Sequence, residues 1–233
     1  MLTGDEGHHC RDVMRHNVGD TLIVFNGQGA EATVSVKSVK KQCVQLETMN
    51  VTKAANLYAT LTLAQSVIKG KKMDLILQKA TELGVSRIVP LLTERSVVKL
   101  SGREIEKRQE KWSRTVIEAC KQSGQNWLPV VEKPQTMEQF LNQAPAEQLN
   151  LLASLHSEAR TLPSILSEYQ EGNEGARPSS AMVMIGPEGD FTPSEMAAAK
   201  QQGCLPWSLG SIVMRSETAA LYTLSVLGYE LGL

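Results

Sequence analysis

Two stretches near the end of the chain decide its fold: IGPEGDFTPSE at residues 185–195 and LGSIVMRSETAALYTL at residues 209–224. Each leaves a short apolar run, passes through a glycine-containing loop and enters a helical pattern. Ligands bind outside the carboxyl ends of the strands in an open parallel sheet, so the two loops predict one binding site at one sheet edge. Taken alone, either loop is explained as well by a turn that needs glycine. In the second stretch, Ser216 is predicted to be the N-cap of the terminal helix, whose dipole favours Glu217.

Strands and helices alternate outward from these loops. Apolar residues recur at helical spacing from Met73 to Leu83, with Gly84 placed to end the helix, and a second helix is predicted to stop at Ser123 and Gly124. Such alternation predicts a mostly parallel sheet with helices on both faces. Strands are predicted at SRIVPLL, LPVV, QLNLLAS, AMVMIG and LPWSL, and further helices near residues 136–142, 162–169, 193–202 and 215–231.

The first part of the chain has a different pattern of short, alternating, turn-punctuated runs. TLIVFN, AEATVSV, QCVQLE and YATLTL follow one another between residues 18 and 63. Several short strands in so few residues predict a small barrel or curled sheet. We therefore expect a small domain at residues 1–66 and an α/β domain at residues 67–233.

Composition excludes several classes of protein. The chain has 233 residues, 42% of them hydrophobic, which is typical of a globular protein. No apolar run approaches the roughly 18 residues that cross a bilayer, so a cytoplasmic protein without a membrane partner is expected. The cysteines form no C-x-x-C pair, which argues against zinc or a disulfide framework, and no metal site is predicted. Dinucleotide and phosphate-loop fingerprints are absent from the sequence.

Charge is unevenly distributed along the chain. Residues 1–65 hold six Lys or Arg and six Asp or Glu, residues 66–133 hold fourteen against eight, and residues 134–233 hold four against eleven. The segments therefore carry charges of 0, +6 and −7. A basic middle segment is compatible with a polyanionic partner, although solvated charges on amphipathic helices are the more common explanation of such a run seen alone.

Five stretches, in order, resemble the RsmE family of the SPOUT methyltransferases. Besides the two opening stretches they are HHCRDVMRHNVGD at residues 8–20, KGKKMDLILQKATELGV at residues 69–85 and LLTERSVVK at residues 91–99. The resemblance implies methylation of N3 of a uridine in 16S ribosomal RNA, free or in the assembled small subunit, with S-adenosylmethionine as cofactor. It also implies a homodimer whose fold is α/β, with a SPOUT-type, mostly parallel sheet carrying a trefoil knot and a small N-terminal PUA-like β-barrel.

The same resemblance assigns the cofactor to the loops at the predicted strand ends. The loops match the family's at Ile185, Gly186, Pro187, Glu188, Gly189, Leu209, Gly210, Met214, Arg215, Thr218 and Ala219, and the remaining wall is expected from Leu152, Ala153 and His156.

Methyl transfer to uridine N3 needs near-attack geometry and the loss of a proton. Arg215 and Arg95 are candidates for stabilising the resulting anion, and Glu217 is the candidate for accepting the proton. Each of them could equally be an ion-pair partner.

RNA contacts are expected from exposed cations in two places. Arg11 and Arg15 are four residues apart and are predicted to share a helical face that meets phosphate. Adjacent His8 and His9 would alternate faces on a strand and so would not chelate one ion. The basic middle segment is expected to contribute Arg95, Lys99, Arg103 and Lys107, with Arg108, Lys111 and Arg114 nearby.

Two positions depart from the family pattern and bear on base recognition. Ile212 stands where the family usually has arginine, and residues 121–125 read KQSGQ where it usually reads EQSGR. Two alternatives therefore stay open: a SPOUT methyltransferase acting on a 2′-hydroxyl or another base, and an RNA-binding assembly factor without turnover.

Overall fold

The computed structural model describes residues 1–54, 59–143 and 147–232. The chain divides into two compact units, Met1–Asn56 and Leu57–Leu233. Within the described ranges, no helix is both long and apolar enough to cross a membrane.

The first unit is a curled antiparallel sheet. Its strands are β1 (Leu2–Thr3), β2 (Thr21–Phe25), β3 (Ala30–Val39) and β4 (Cys43–Lys53), in the order β1-β4-β3-β2. The register between β3 and β4 shifts at two places, and such bulges bend and twist a sheet. Val36 and Val44 are fully buried in its core against Cys10.

The histidine-containing segment is helical, not extended as its sequence suggested. After β1 the chain forms α1 (Gly4–His8), which runs into a π-helix at His9–Val13. His8 Nδ1 lies 2.5 Å from Asp12 Oδ2, one helical turn further on. His8 and His9 therefore belong to helical turns, and the prediction that they alternate faces on a strand is wrong.

The arginines of this segment do not share a helical face. The helical turn ends before Arg15, which has a left-handed φ of 56°. Arg11 is held by its own unit, because its guanidinium pairs with Asp12 and donates to the carbonyls of Lys40 and Lys41 in the β3–β4 turn. The predicted common face for phosphate is therefore not formed.

Among its described residues, the second unit has a parallel sheet of seven strands, and a parallel sheet is what the alternation predicts. The order is β11-β9-β10-β5-β6-β7, with β8 also pairing with β6. The strands are β5 (Thr60–Ser66), β6 (Arg87–Leu92), β7 (Val130–Val131), β8 (Gln135–Thr136), β9 (Leu149–Ala153), β10 (Ser180–Ile185) and β11 (Leu205–Trp207). The helices are α2 (Lys71–Glu82), α3 (Arg103–Ser123), α4 (Met137–Asn142), α5 (Leu162–Gly172), α6 (Pro193–Gln201) and α7 (Ser216–Leu231).

Strand β5 lies in the large sheet, whereas its sequence pattern suggested the small N-terminal one. It pairs in parallel with β10 on one side and β6 on the other. Its T-L-T-L alternation resembles a half-exposed strand, yet Thr62, Gln65 and Ser66 are as buried as its leucines. The prediction failed for a physical reason. The sequence pattern shows only which side chains are polar, whereas helices cover both faces of this strand, so its polar side chains are buried together with its leucines.

The thiols of the second unit are packing groups, as expected from their scattered positions. Burial raises the pKa of the Cys120 thiol to about 11 and that of the Cys204 thiol to about 12. Neither therefore forms a thiolate at neutral pH.

Candidate active site

A cavity of about 230 Å³ opens at the carboxyl ends of β9, β10 and β11, next to the N-terminus of α7. Two segments form most of its wall: the β10 loop, residues 186–191, and the β11 loop, residues 208–215. This is the sheet edge at which an open parallel sheet binds ligands. The residues on which both sequence and cavity agree are Ala153, Ile185, Gly186, Pro187, Glu188, Leu209, Gly210, Met214, Arg215 and Ala219.

Four residues expected at this site lie outside the cavity lining. Leu152 is fully buried inside β9, and His156 and Thr218 are exposed. The Cβ position of Gly189 faces Arg95, because a Cβ there would lie 3.5 Å from the Arg95 side chain. Membership of a loop or strand end is thus a good predictor of approximate position, but it does not fix the direction in which each residue faces.

Sequence reasoning missed part of the wall after β9. Ser154 and Leu155 line the cavity. Ser154 is buried, its N–H donates to Trp207 O at 3.0 Å, and its Oγ accepts from His156 N at 3.2 Å. The first bond holds the end of β9 against β11, and the second fixes the turn that follows. The position of Ser154 and Leu155 directly after the strand was the available signal.

The β10 loop is a tight turn fixed by its own polar groups. Asp190 N donates to Pro187 O at 2.9 Å, and Asp190 Oδ1 accepts from Phe191 N at 2.8 Å. A Cβ on Gly186 would lie 3.2 Å from that Oδ1 and 3.3 Å from Phe191 Cδ2. Close packing of the turn therefore favours glycine at 186, because a Cβ would force Asp190 or Phe191 to shift.

The segment after β6 supports the β10 loop from outside. Arg95 Nη1 donates to Gly189 O at 2.7 Å and to Phe191 O at 3.3 Å. Buried Glu195, at the start of α6, accepts from Glu94 N and from Thr192 N, each at 2.9 Å. Arg95 thus lies beside the predicted site, with its guanidinium bonded to the loop backbone.

Three charged residues meet where α2, the β10 loop and α7 come together. Lys72 Nζ lies 3.4 Å from an oxygen of Glu188 and 3.4 Å from Glu217 Oε1. The other carboxylate oxygen of Glu217 is buried and has no hydrogen-bond partner within the described residues. Lys72 was not predicted, although its KGKK stretch is one of the motifs that carry the resemblance.

Ser216 has a different role from the predicted one. Arg215 occupies the N-cap position of α7, and Ser216 points inward and is buried. Its Oγ donates to Gly186 O at 2.7 Å and accepts from Gln65 Nε2 at 3.0 Å. A serine at a helix start is usually a cap, so the sequence offered no sign of these long-range bonds.

The expected RNA contacts of this unit lie on or before α3. Arg103 begins that helix, and Lys107 and Arg114 line a groove of about 570 Å³ together with Lys111. Lys111 Nζ is paired with Asp74 at 2.6 Å, and Lys99 Nζ donates to Glu94 O at 3.2 Å. The structure thus groups some of the cations into one groove and ties others to their own surroundings.

Comparison with known protein families matches both units. Residues 54–228 match the model of an RNA methyltransferase domain, and residues 2–48 match that of an RNA methyltransferase PUA domain.

Two relatives that match nearly all of this chain have the same name. The chain is 33% identical to the ribosomal RNA small subunit methyltransferase E of Bacillus subtilis, over 98% of this chain and 89% of that protein. It is also 33% identical to the protein of the same name from Synechocystis, over 96% of this chain and 71% of the other.

Two solved structures with this fold contain S-adenosylmethionine. A Legionella pneumophila protein in complex with that cofactor is 34% identical with a TM-score of 0.88, and the match covers 98% of this chain and 90% of that one. The ribosomal RNA small subunit methyltransferase E of Neisseria gonorrhoeae, bound to the same molecule, is 29% identical with a TM-score of 0.84 and the same coverage.

Proposed function

The chain belongs to the family of the ribosomal RNA small subunit methyltransferases E, and we propose that it methylates N3 of a uridine in 16S ribosomal RNA. One observation carries the proposal: two loops that the sequence matches to the family's cofactor loops line a single cavity at the ligand-binding edge of the sheet. Family membership supports the reaction class, S-adenosylmethionine-dependent methylation of small-subunit ribosomal RNA.

The cavity suits S-adenosylmethionine chemically. When bound, that cofactor supplies a methyl group activated by a positively charged sulfur. Leu155, Ile185 and Met214 offer apolar surface for a flat heterocycle, and Glu188 and Asp190 offer carboxylates for positive charge. Gly186 keeps the wall free of a side chain where the turn is tightest.

Arg215 lines the cavity, and Glu217 follows it two residues later at the start of α7. Uridine N3 must lose its proton around the time of attack, and one oxygen of Glu217 has no hydrogen-bond partner among the described residues. Because that oxygen is buried and Glu217 does not line the cavity, its side chain must turn towards the base to accept the proton. Lys72 holds the other oxygen and so orients the carboxylate. Exposed Arg215, at the N-terminus of α7, can stabilise the negative base together with the positive end of the helix dipole.

The first test is methyl transfer by the purified protein. We expect binding of S-adenosylmethionine in calorimetry and incorporation of labelled methyl into small subunits from a strain that lacks the gene. Mass spectrometry of digested 16S RNA should then find 3-methyluridine. Methylation of a 2′-hydroxyl or another base would contradict the N3 assignment. If the protein binds RNA but not S-adenosylmethionine, the result would favour a non-catalytic assembly factor. Running naked 16S RNA in parallel identifies which form is the substrate.

RNA binding belongs to the same proposal. We infer that the PUA-like unit and the α3 groove with Lys107 and Arg114 meet the phosphate backbone. Neutralising phosphates releases counterions, so affinity should fall steeply with salt.

We also propose a cytoplasmic homodimer whose C-terminal loops form a trefoil knot. Tyr222 and Tyr229 lie two helical turns apart on α7 and are 42% and 83% exposed. Exposed aromatic residues on one helix face are typical of subunit interfaces. Light scattering should give a dimer mass, and Tyr229→Glu should shift it towards the monomer; an unchanged dimer would remove this face from the interface.

A further inference from the structure

A glutamine at the end of β5 connects both loops of the cavity, and we propose that Gln65 and Ser216 form a positioning pair for the cofactor site. The inference rests on the proposed function, since it concerns how that site is held in shape. Gln65 is fully buried in the strand between β6 and β10 and does not line the cavity. It therefore acts through Ser216.

The hydrogen bonds form one continuous chain. Gln65 Nε2 donates to Ser66 O at 2.9 Å and to Ser216 Oγ at 3.0 Å. Ser216 Oγ in turn donates to Gly186 O at 2.7 Å. A central strand, the start of α7 and the first residue of the β10 loop are thereby linked.

The direction of each bond is determined. The Ser66 carbonyl can only accept, so the amide of Gln65 must turn its NH₂ group towards it. The second N–H of that group then points at Ser216. Because a hydroxyl has a single proton, Ser216 gives its own to Gly186. Only one arrangement satisfies all three groups, which makes the chain a rigid spacer.

Ser216 transmits this constraint to the reacting side of the cavity. Its neighbours in sequence are Arg215, at the cavity rim, and Glu217, with its unpartnered oxygen. Gly186 already lies in close contact with Asp190 and Phe191. A shift of Ser216 would therefore move both loops relative to each other and change the width of the cavity.

The pair has a cost that a purely structural role does not explain. Gln65 Oε1 is buried without a hydrogen-bond partner among the described residues, and an unpaired buried amide oxygen is unfavourable. An apolar side chain of similar length would avoid this cost. We infer that glutamine is used here because its N–H groups set the position of Ser216.

Calorimetric titration with S-adenosylmethionine tests the pair. Gln65→Met and Ser216→Ala should each weaken binding roughly tenfold, because each removes two hydrogen bonds of the chain, including the one that joins Gln65 to Ser216. The double variant should be no weaker than the poorer single one, because both changes break the same chain. The Tm of Gln65→Met should stay within about 3 °C of the wild type, since the substitution also removes an unpaired oxygen.

Thr223→Val is the matched control. Thr223 is a fully buried hydroxyl on the same helix, but it donates to Ala220 O within α7. Its substitution should leave affinity for S-adenosylmethionine within about twofold of the wild type. A comparable loss in this control would show a general effect of disturbing α7 and would overturn the pair.

Hydrogen exchange without cofactor separates this inference from the proposed function. In Gln65→Met, amides of both residues 188–191 and residues 210–215 should exchange faster than in the wild type. If the wild type binds S-adenosylmethionine and Gln65→Met binds it equally well, the pair is wrong and the function stands. If the wild type does not bind it, the function is wrong, and unchanged exchange in the variant would then overturn the pair as well.

Discussion

The β10 loop and the β11 loop line the same cavity but are built differently. The β10 loop is bonded from every side: by Asp190 internally, by Arg95 from the β6 side and by Ser216 from α7. The β11 loop exposes Ile212 and Val213, at 77% and 71%. One wall is thus fixed before any ligand arrives, whereas the other presents apolar side chains to solvent.

The glycines of the two loops also differ in the reason that glycine is favoured. Gly186 has an ordinary φ, and a Cβ there would be tightly packed against the turn. Gly210 has open space around it but a φ of 110°, which side-chain-bearing residues rarely adopt. Packing therefore favours glycine at 186, and backbone conformation favours it at 210. We infer that the fixed β10 wall sets the shape of the cofactor site, and that the exposed tip of the β11 loop, Ile212 and Val213, is also open to the RNA.

The largest expected effect is that of Arg215→Ala, at the end of the β11 loop. If Arg215 stabilises the anion, turnover should fall about 10²- to 10³-fold. Because the side chain is exposed, the free energy of unfolding should change by less than about 0.5 kcal/mol. Methyl incorporation at saturating cofactor and denaturant unfolding measure the two quantities. A variant with full activity would exclude Arg215 from the mechanism.

Gly186→Ala tests whether the β10 loop is fixed by packing. The added Cβ should lower the free energy of unfolding by about 1–3 kcal/mol and weaken S-adenosylmethionine binding roughly tenfold. Gly189→Ala is the control within the same loop, because its Cβ would make an ordinary contact of 3.5 Å with Arg95. Equal behaviour of the two variants would contradict the packing argument.

Arg95→Ala removes an external support of the β10 loop. Losing its bonds to Gly189 O and Phe191 O should weaken S-adenosylmethionine binding about fivefold, as expected for roughly 1 kcal/mol. Arg103→Ala, on α3, changes the same charge away from this loop and should leave cofactor affinity unchanged. If Arg95→Ala binds cofactor normally but loses turnover, Arg95 acts on the RNA base instead.

The smallest effect is expected for Ile212→Arg, which restores the family's usual residue in the β11 loop. One added phosphate contact should strengthen RNA binding about threefold at low salt. It should also increase the slope of log affinity against log salt concentration by about one, because about one more counterion is released. Cofactor affinity should not change. Filter binding across a salt series measures both properties of the RNA complex. A change in S-adenosylmethionine binding without one in RNA binding would contradict the assignment of Ile212 to the RNA side of the site.

Much of the fold could be read from the sequence because its signals are local. The runs that predict β6, β9 and β10 are apolar, and α3 ends at Ser123 beside Gly124, as its pattern indicates. The failures also have local causes. The T-L-T-L alternation of β5 is typical of a half-exposed strand, yet β5 is buried on both faces. His8 and His9 lie where α1 continues into the π-helix, although their sequence suggested a strand.

By itself, the sequence determined the class of the protein, its parallel sheet and the two loops that share a cavity, because periodicity, glycine positions and family motifs are properties of neighbouring residues. Only the tertiary structure decided which side chains complete the site. Gln65 lies 151 positions from Ser216, and Arg95 94 positions from Gly189, so no local pattern could pair them. The first bond forms because β5 pairs with β10 and packs against α7, and the second because the segment after β6 reaches the β10 loop.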